Sequence, residues 1–212
     1  MKIKICGITN LEDALAAIEA GADMLGFNFY PKSPRYITPE QCALIVSSVY
    51  RLRSTVVFIG VFVNSPAEQI AAILDQCGLH LAQLSGDEPL SDLEALGPRA
   101  FKALRIRDPQ SAPAMLANLP PRADPPACLL DAHVPGQYGG TGQTADWSVA
   151  ADLARQASIL LAGGLTPENV AEAVRQVRPW GVDVASGVEA GPGKKDAARM
   201  RAFVQNALQK PD

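Results

Sequence analysis

The stretch Ile159-Leu160-Leu161-Ala162-Gly163-Gly164-Leu165-Thr166-Pro167-Glu168-Asn169-Val170 holds one unit of the fold in miniature. Four apolar residues read as a buried strand, the glycine pair as a tight loop, and Thr166-Pro167 as a helix start, where proline's missing N–H costs nothing. Val170, Ala173, Val174 and Val177 then recur at i, i+3, i+4 and i+7, the stripe of an amphipathic helix.

The same alternation runs the length of the chain. Apolar runs at 3–6, 24–29, 56–63, 79–84, 100–106, 127–130, 159–162 and 182–185 read as strands. After each comes a helical stripe, clearest at Leu11, Ala14, Leu15 and Ile18, at Cys42, Ile45, Val46 and Val49, and at Ile70, Ile73, Leu74 and Cys77. Thr9 with Glu12, Thr38 with Gln41, and Ser65 with Glu68 have capping-box spacing, and Pro39 and Pro66 sit at first-turn positions. Eight strands alternating with eight helices imply parallel pairing through right-handed crossovers. That count suits a closed (β/α)8 barrel of α/β class better than an open doubly wound sheet.

At 212 residues the chain fits one such domain, 1–212, with few insertions, being short of the ~250 residues usual for the barrel. The proline-rich segment 120–126 reads as a stiff connection inside it. Apolar residues make up 48% and charged residues 19%, which excludes a disordered chain. A formal charge of −3, with the basic residues scattered, gives no footprint for nucleic acid. No apolar run approaches the ~20 residues of a membrane span, and the short apolar start does not suit a signal peptide, so a cytoplasmic protein with no membrane partner is expected. Four separated cysteines and two histidines show neither disulfide framework nor metal-ligand spacing, so no metal is expected.

In such a barrel the working groups lie at the carboxyl ends of strands and in the loops that follow. Cys6 ends the first strand and can serve as base or nucleophile if a cationic environment favours its thiolate, or else is a small buried hydrophobe. Asp131 ends the sixth strand ahead of a glycine-rich loop at 136–142, as a general acid if its carboxyl stays protonated, or as a loop cap. Arg35, in a proline-stiffened loop at 30–36, offers a fork for a carboxylate, or is an exposed loop residue. Gly163-Gly164 and Ser186-Gly187 follow strands seven and eight, the usual phosphate loops of the fold, or are ordinary turns. Lys194-Lys195 reads as a solvated helix start. His80 and His133 lack partner spacing and receive no role.

Taken in order, Lys4-Ile5-Cys6-Gly7-Ile8-Thr9, the Gly26-to-Tyr36 segment, Leu129-Leu130-Asp131, Gly139-Gly140-Thr141-Gly142, Ala162-Gly163-Gly164-Leu165 and the block from Val182 to Glu189 closely resemble phosphoribosylanthranilate isomerases of tryptophan biosynthesis. The resemblance covers nearly the whole chain. It implies a cofactor-free Amadori rearrangement of a small phosphoribosyl substrate, with Asp131 as general acid, Cys6 as general base and Arg35 facing the anthranilate carboxylate. It also implies a phosphate grip at Gly163, Gly164, Ser186 and Gly187, and Asp183 lining the site. Monomer and homodimer both remain open. The chain departs from the pattern at Ser85, where the family usually carries histidine, so a cation there is missing. A binding barrel with impaired catalysis and the analogous histidine-pathway isomerase are the rival readings. The latter uses paired aspartates, one of them where this chain has Cys6.

Overall fold

The protein is described from a computed structural model covering residues 1–52, 55–106, 108–131 and 147–209. Eight parallel strands close on themselves: β1 (Lys2–Cys6), β2 (Met24–Asn28), β3 (Val57–Phe62), β4 (Leu81–Leu84), β5 (Ala100–Arg105), β6 (Cys128–Asp131), β7 (Ile159–Ala162) and β8 (Gly181–Val184). The barrel shuts where β1 pairs with β8, Lys4 opposite Asp183 and Ile5 opposite Val184. Closure leaves the barrel sheet no unpaired edge.

The intervening helices are α1 (Leu11–Ala20), α2 (Pro39–Arg51), α3 (Ala67–Cys77), α4 (Leu90–Leu96), α5 (Ala112–Ala117), α6 (Ser148–Ala154), α7 (Val170–Val177) and α8 (Ala197–Ala207). Alternation along each strand sorts its side chains into two cores. Met24, Ile59, Phe101, Ala103, Leu129, Leu160 and Ala162 fill the barrel interior. Residues of opposite parity, such as Ile3, Ile5, Leu25, Phe58, Leu130, Leu161 and Val182, pack outward against the helical stripes. Each large apolar side chain so buried contributes about 1.5–3 kcal/mol.

Of the three expected capping boxes, one forms and two are corrected. Thr38 and Gln41 form the full capping box expected of them. At α1, however, the cap is Asn10, whose side chain accepts from the Asp13 amide, while Thr9 Oγ1 donates to the Gly193 carbonyl at 2.7 Å. At α3 the chain enters through Pro66 with no side-chain cap, so Ser65 does not play the part its spacing suggested. A third correction concerns Lys194-Lys195. Instead of opening a helix, they form β10 (Lys194–Lys195), paired antiparallel with β9 (Glu189–Gly191), and α8 begins at the Asp196 cap. Lys195 is buried, not solvated.

Among the described residues no helix is long and apolar enough to cross a membrane. The 120–126 connection is held by Arg122, which donates to the Pro126 and Pro98 carbonyls at 2.9 and 2.8 Å.

Candidate active site

Parallel closure puts all eight carboxyl ends on one rim, and the candidate residues gather there. Cys6 and Lys4 share the inward parity of β1. A Cβ built on Gly26 of β2 would stand 2.8 Å from Cys6 Sγ and 3.1 Å from Lys4 Nζ, so thiol and ammonium converge on the space that glycine leaves. Lys4 is fully buried, and its Nζ donates to Asp183 Oδ1 of β8 at 2.9 Å while lying beside the Cys6 sulfur.

Burial opposes the charge on Lys4, but the Asp183 carboxylate and then Cys6 outweigh it and raise its pKa above the ordinary lysine value. Burial likewise pushes the Cys6 thiol up, and the Lys4 charge pulls back without overcoming it. The sense is physical: a dry surrounding disfavours the charged form of the thiol, and the Asp183 carboxylate nearby works in the same direction.

A second ionic group stands beside the first. Arg35 Nε and Nη2 both donate to the Glu189 carboxylate at 2.7 Å, and Lys195 Nζ donates to Glu189 Oε1 and to the Ala185 carbonyl, each at 3.0 Å. Burial pushes the Glu189 carboxyl up, but the bonds and charges of Arg35 and Lys195 hold it below the usual carboxylate range. Burial draws the Lys195 ammonium down despite Glu189. Arg35 is therefore present at the rim as expected, with two of its three nitrogens already engaged.

Asp131 ends β6, half-buried, opposite Arg105 of β5 and Ala162 of β7. The 136–142 loop and His133 lie outside the described residues. Gly163 and Gly164 adopt left-handed φ of 97° and 65° after β7, with Gly164 exposed. Ser186-Gly187-Val188 forms a single 3₁₀ turn after β8, and loops seven and eight touch: a Cβ on Gly187 would fall 2.0 Å from the Leu165 carbonyl oxygen. Ser85 sits at the mouth beyond β4, its hydroxyl accepting from Gln83 Nε2 at 3.0 Å, while Gln83 Oε1 is buried without a hydrogen-bond partner. His80 lies away from this rim, accepting the Phe58 amide and stacking on the Phe58 ring. Among the described residues no cluster of three or more His, Cys, Asp or Glu is arranged to hold a metal.

Three charged residues were missed by sequence reasoning as members of this site. Lys4 carried a signal, because it stands at the same parity as Cys6 in an otherwise apolar strand. Glu189 stood at the end of the strand-eight segment without a role of its own. Lys195 was concealed by the hairpin that follows β8.

Residues 3–206 match the family model described as N-(5'phosphoribosyl)anthranilate (PRA) isomerase. The chain is 49% identical over 209 residues to N-(5'-phosphoribosyl)anthranilate isomerase of Pelobacter propionicus, covering 99% of this chain and 96% of the relative. Among solved structures, phosphoribosyl anthranilate isomerase from Thermotoga maritima superposes with a TM-score of 0.85 at 42% identity, covering 98% of each chain. A structure of phosphoribosyl anthranilate isomerase in complex with reduced 1-(o-carboxyphenylamino)-1-deoxyribulose 5-phosphate superposes with a TM-score of 0.82 at 40% identity, covering 98% of each chain.

Proposed function

The chain belongs to the N-(5'-phosphoribosyl)anthranilate isomerase family and is an aldose–ketose isomerase of tryptophan biosynthesis; from that premise we propose that Asp131 is its general acid and Cys6 its general base. The observation that carries the assignment is the convergence of the Cys6 thiol and a buried ammonium on the space above Gly26, on the rim that Asp131 shares.

In this reading the Asp131 carboxyl gives its proton to the ribose ring oxygen as the C1′–O bond breaks, and the anthranilate nitrogen supplies the electron pair of the resulting C=N bond. Cys6 thiolate then takes the proton from C2′, the electrons of that C–H bond form the C1′=C2′ bond, and the C=N π pair returns to the nitrogen. The enol so formed passes to the 2-ketone by proton transfer. Acid and base stand on separate strands, β6 and β1, which lets their environments be set independently.

The Nη1 of Arg35 remains for the substrate carboxylate, since Nε and Nη2 are bound by Glu189. Gly163, Gly164, Ser186 and Gly187 supply the backbone that closes on the phosphate, supported by the contact between their two loops. Asp183 lines the floor with Lys4. A single barrel domain, monomeric or homodimeric and cytoplasmic, completes the proposal. Its test is turnover of freshly generated phosphoribosylanthranilate by protein stripped of metal, with Cys6→Ser and Asp131→Asn measured alongside.

A further inference from the structure

Five charged groups surround the Cys6 thiol. Lys4 shares its strand, Asp183 approaches from β8, Lys195 from β10, Arg35 from the loop after β2, and Glu189 of β9 binds the last two cations. Three positive charges thus face two negative ones while the thiol keeps its proton. Asp13, also buried, is committed elsewhere, to the Lys195 backbone amide at 2.9 Å and the Asn10 side chain. A thiolate at Cys6 brings the cluster to neutrality. Lys195 and Arg35 are held by Glu189 and Lys4 by Asp183, and of the three it is Lys4 whose ammonium shares with the sulfur the space above Gly26.

We propose that Lys4 is a positioning residue for the reaction: its sealed ammonium, paired with Asp183 and beside Cys6 Sγ, is the counter-charge that admits a thiolate inside the barrel. Asp183 sets how much of that charge reaches the sulfur. Gly26 keeps the space open, because a methyl group there would meet both Sγ and Nζ inside normal contact distance. Lys4 itself, with no exposed surface, is assigned no contact with substrate. This deepens the assignment of Cys6 as base and rests on it for its catalytic consequence, but the coupling of Lys4 to the thiol is testable without turnover.

The test follows the rate at which iodoacetamide alkylates Cys6 from pH 7 to 10, resolved by peptide mass spectrometry in Lys4→Met, Asp183→Asn and the charge-neutral double variant. Lys4→Met is expected to slow alkylation at pH 8 by about tenfold or more, one pH unit or more in the thiol midpoint. Asp183→Asn is expected to speed it several-fold, since the ammonium then serves the sulfur alone. Opposite signs in the two variants support the proposal; an unchanged midpoint in Lys4→Met, or shifts of the same sign, overturns it.

Should Lys4→Met fail to fold because Asp183 is left buried and unpaired, Asp183→Asn and the double variant decide. Faster alkylation in the first and slower in the second sustain the proposal, and any other pairing refutes it. In turnover, Lys4→Met should displace the pH profile of kcat to higher pH with KM little changed, and Lys4→Arg should restore part of it. A merely structural lysine would lower the active fraction and leave the pH midpoint in place. If Cys6→Ser keeps wild-type turnover, the base assignment fails while the alkylation result still judges Lys4.

Discussion

Gly187→Ala puts the proposed phosphate site under direct strain. The added Cβ would lie 2.0 Å from the Leu165 carbonyl oxygen, roughly 1.5 Å inside the separation at which such atoms attract. The clashing atom is backbone, so no side-chain rotation relieves it. Val184 Cγ2, at 3.1 Å on another side, blocks an easy retreat. Arg199 also anchors the turn, donating from Nε and Nη2 to the Gly187 carbonyl at 3.0 and 2.9 Å. Loop seven must therefore move from loop eight by about 1 Å or more, and a misplacement of that size costs on the order of 10²-fold in rate. Overpacking adds about 1–3 kcal/mol of destabilisation. Steady-state assays should show kcat/KM reduced by about two orders of magnitude, with the larger share in KM because the phosphate binds in ground and transition states alike. Wild-type KM in a folded Gly187→Ala protein would refute the idea that the two loops act together on one phosphate.

Glu189→Gln removes the anion between two cations, one of them wholly buried, and should cost about 3–5 kcal/mol. For a chain of this length the thermal midpoint should fall by on the order of 10 °C; a fall of less than about 2 °C would mean the triad is not stabilising. Glu88 is buried, accepting from the Asn64 and Gly86 amides at 2.8 and 2.9 Å and from Lys102. Burial pushes its carboxyl up, but those donors hold it below the ordinary 4.5. Its contribution is therefore full above about pH 4.5 and drains away as pH falls through the lower folded value. Urea unfolding of Glu88→Gln should accordingly show lower stability at pH 7 and a flatter acid limb, whereas an acid limb parallel to wild type would discard this carboxylate as its source. Because burial raises the Cys6 thiol pKa, kcat/KM of the wild type should climb from pH 7 toward 9; a profile flat over that range would contradict a thiolate base.

The barrel was legible because its strands and helices announce themselves locally. Ile159–Ala162 and the Val170 stripe each carry their own period, and strict alternation leaves few topologies. The positions of Cys6, Arg35, Asp131 and Asp183 at one rim follow from the same rule. What the sequence concealed was pairing across distance. Lys4 and Asp183 are separated by 179 residues and meet only when the barrel closes. Lys195 reads as a surface lysine because charge alone suggests solvent, and only the β9–β10 hairpin places it against Glu189. Thr9 had the spacing of a cap, yet its hydroxyl is drawn to Gly193 in the hairpin after the neighbouring β8, a tertiary competitor invisible to local spacing.

The most direct measurement is the loss of anthranilate-type fluorescence as wild type, Cys6→Ser and Asp131→Asn act on freshly generated phosphoribosylanthranilate. The account predicts turnover by the wild type and a fall in kcat of about 10²- to 10⁴-fold in each variant, with substrate affinity largely retained. Turnover within a few-fold of wild type in either variant would contradict the division of acid and base between Asp131 and Cys6.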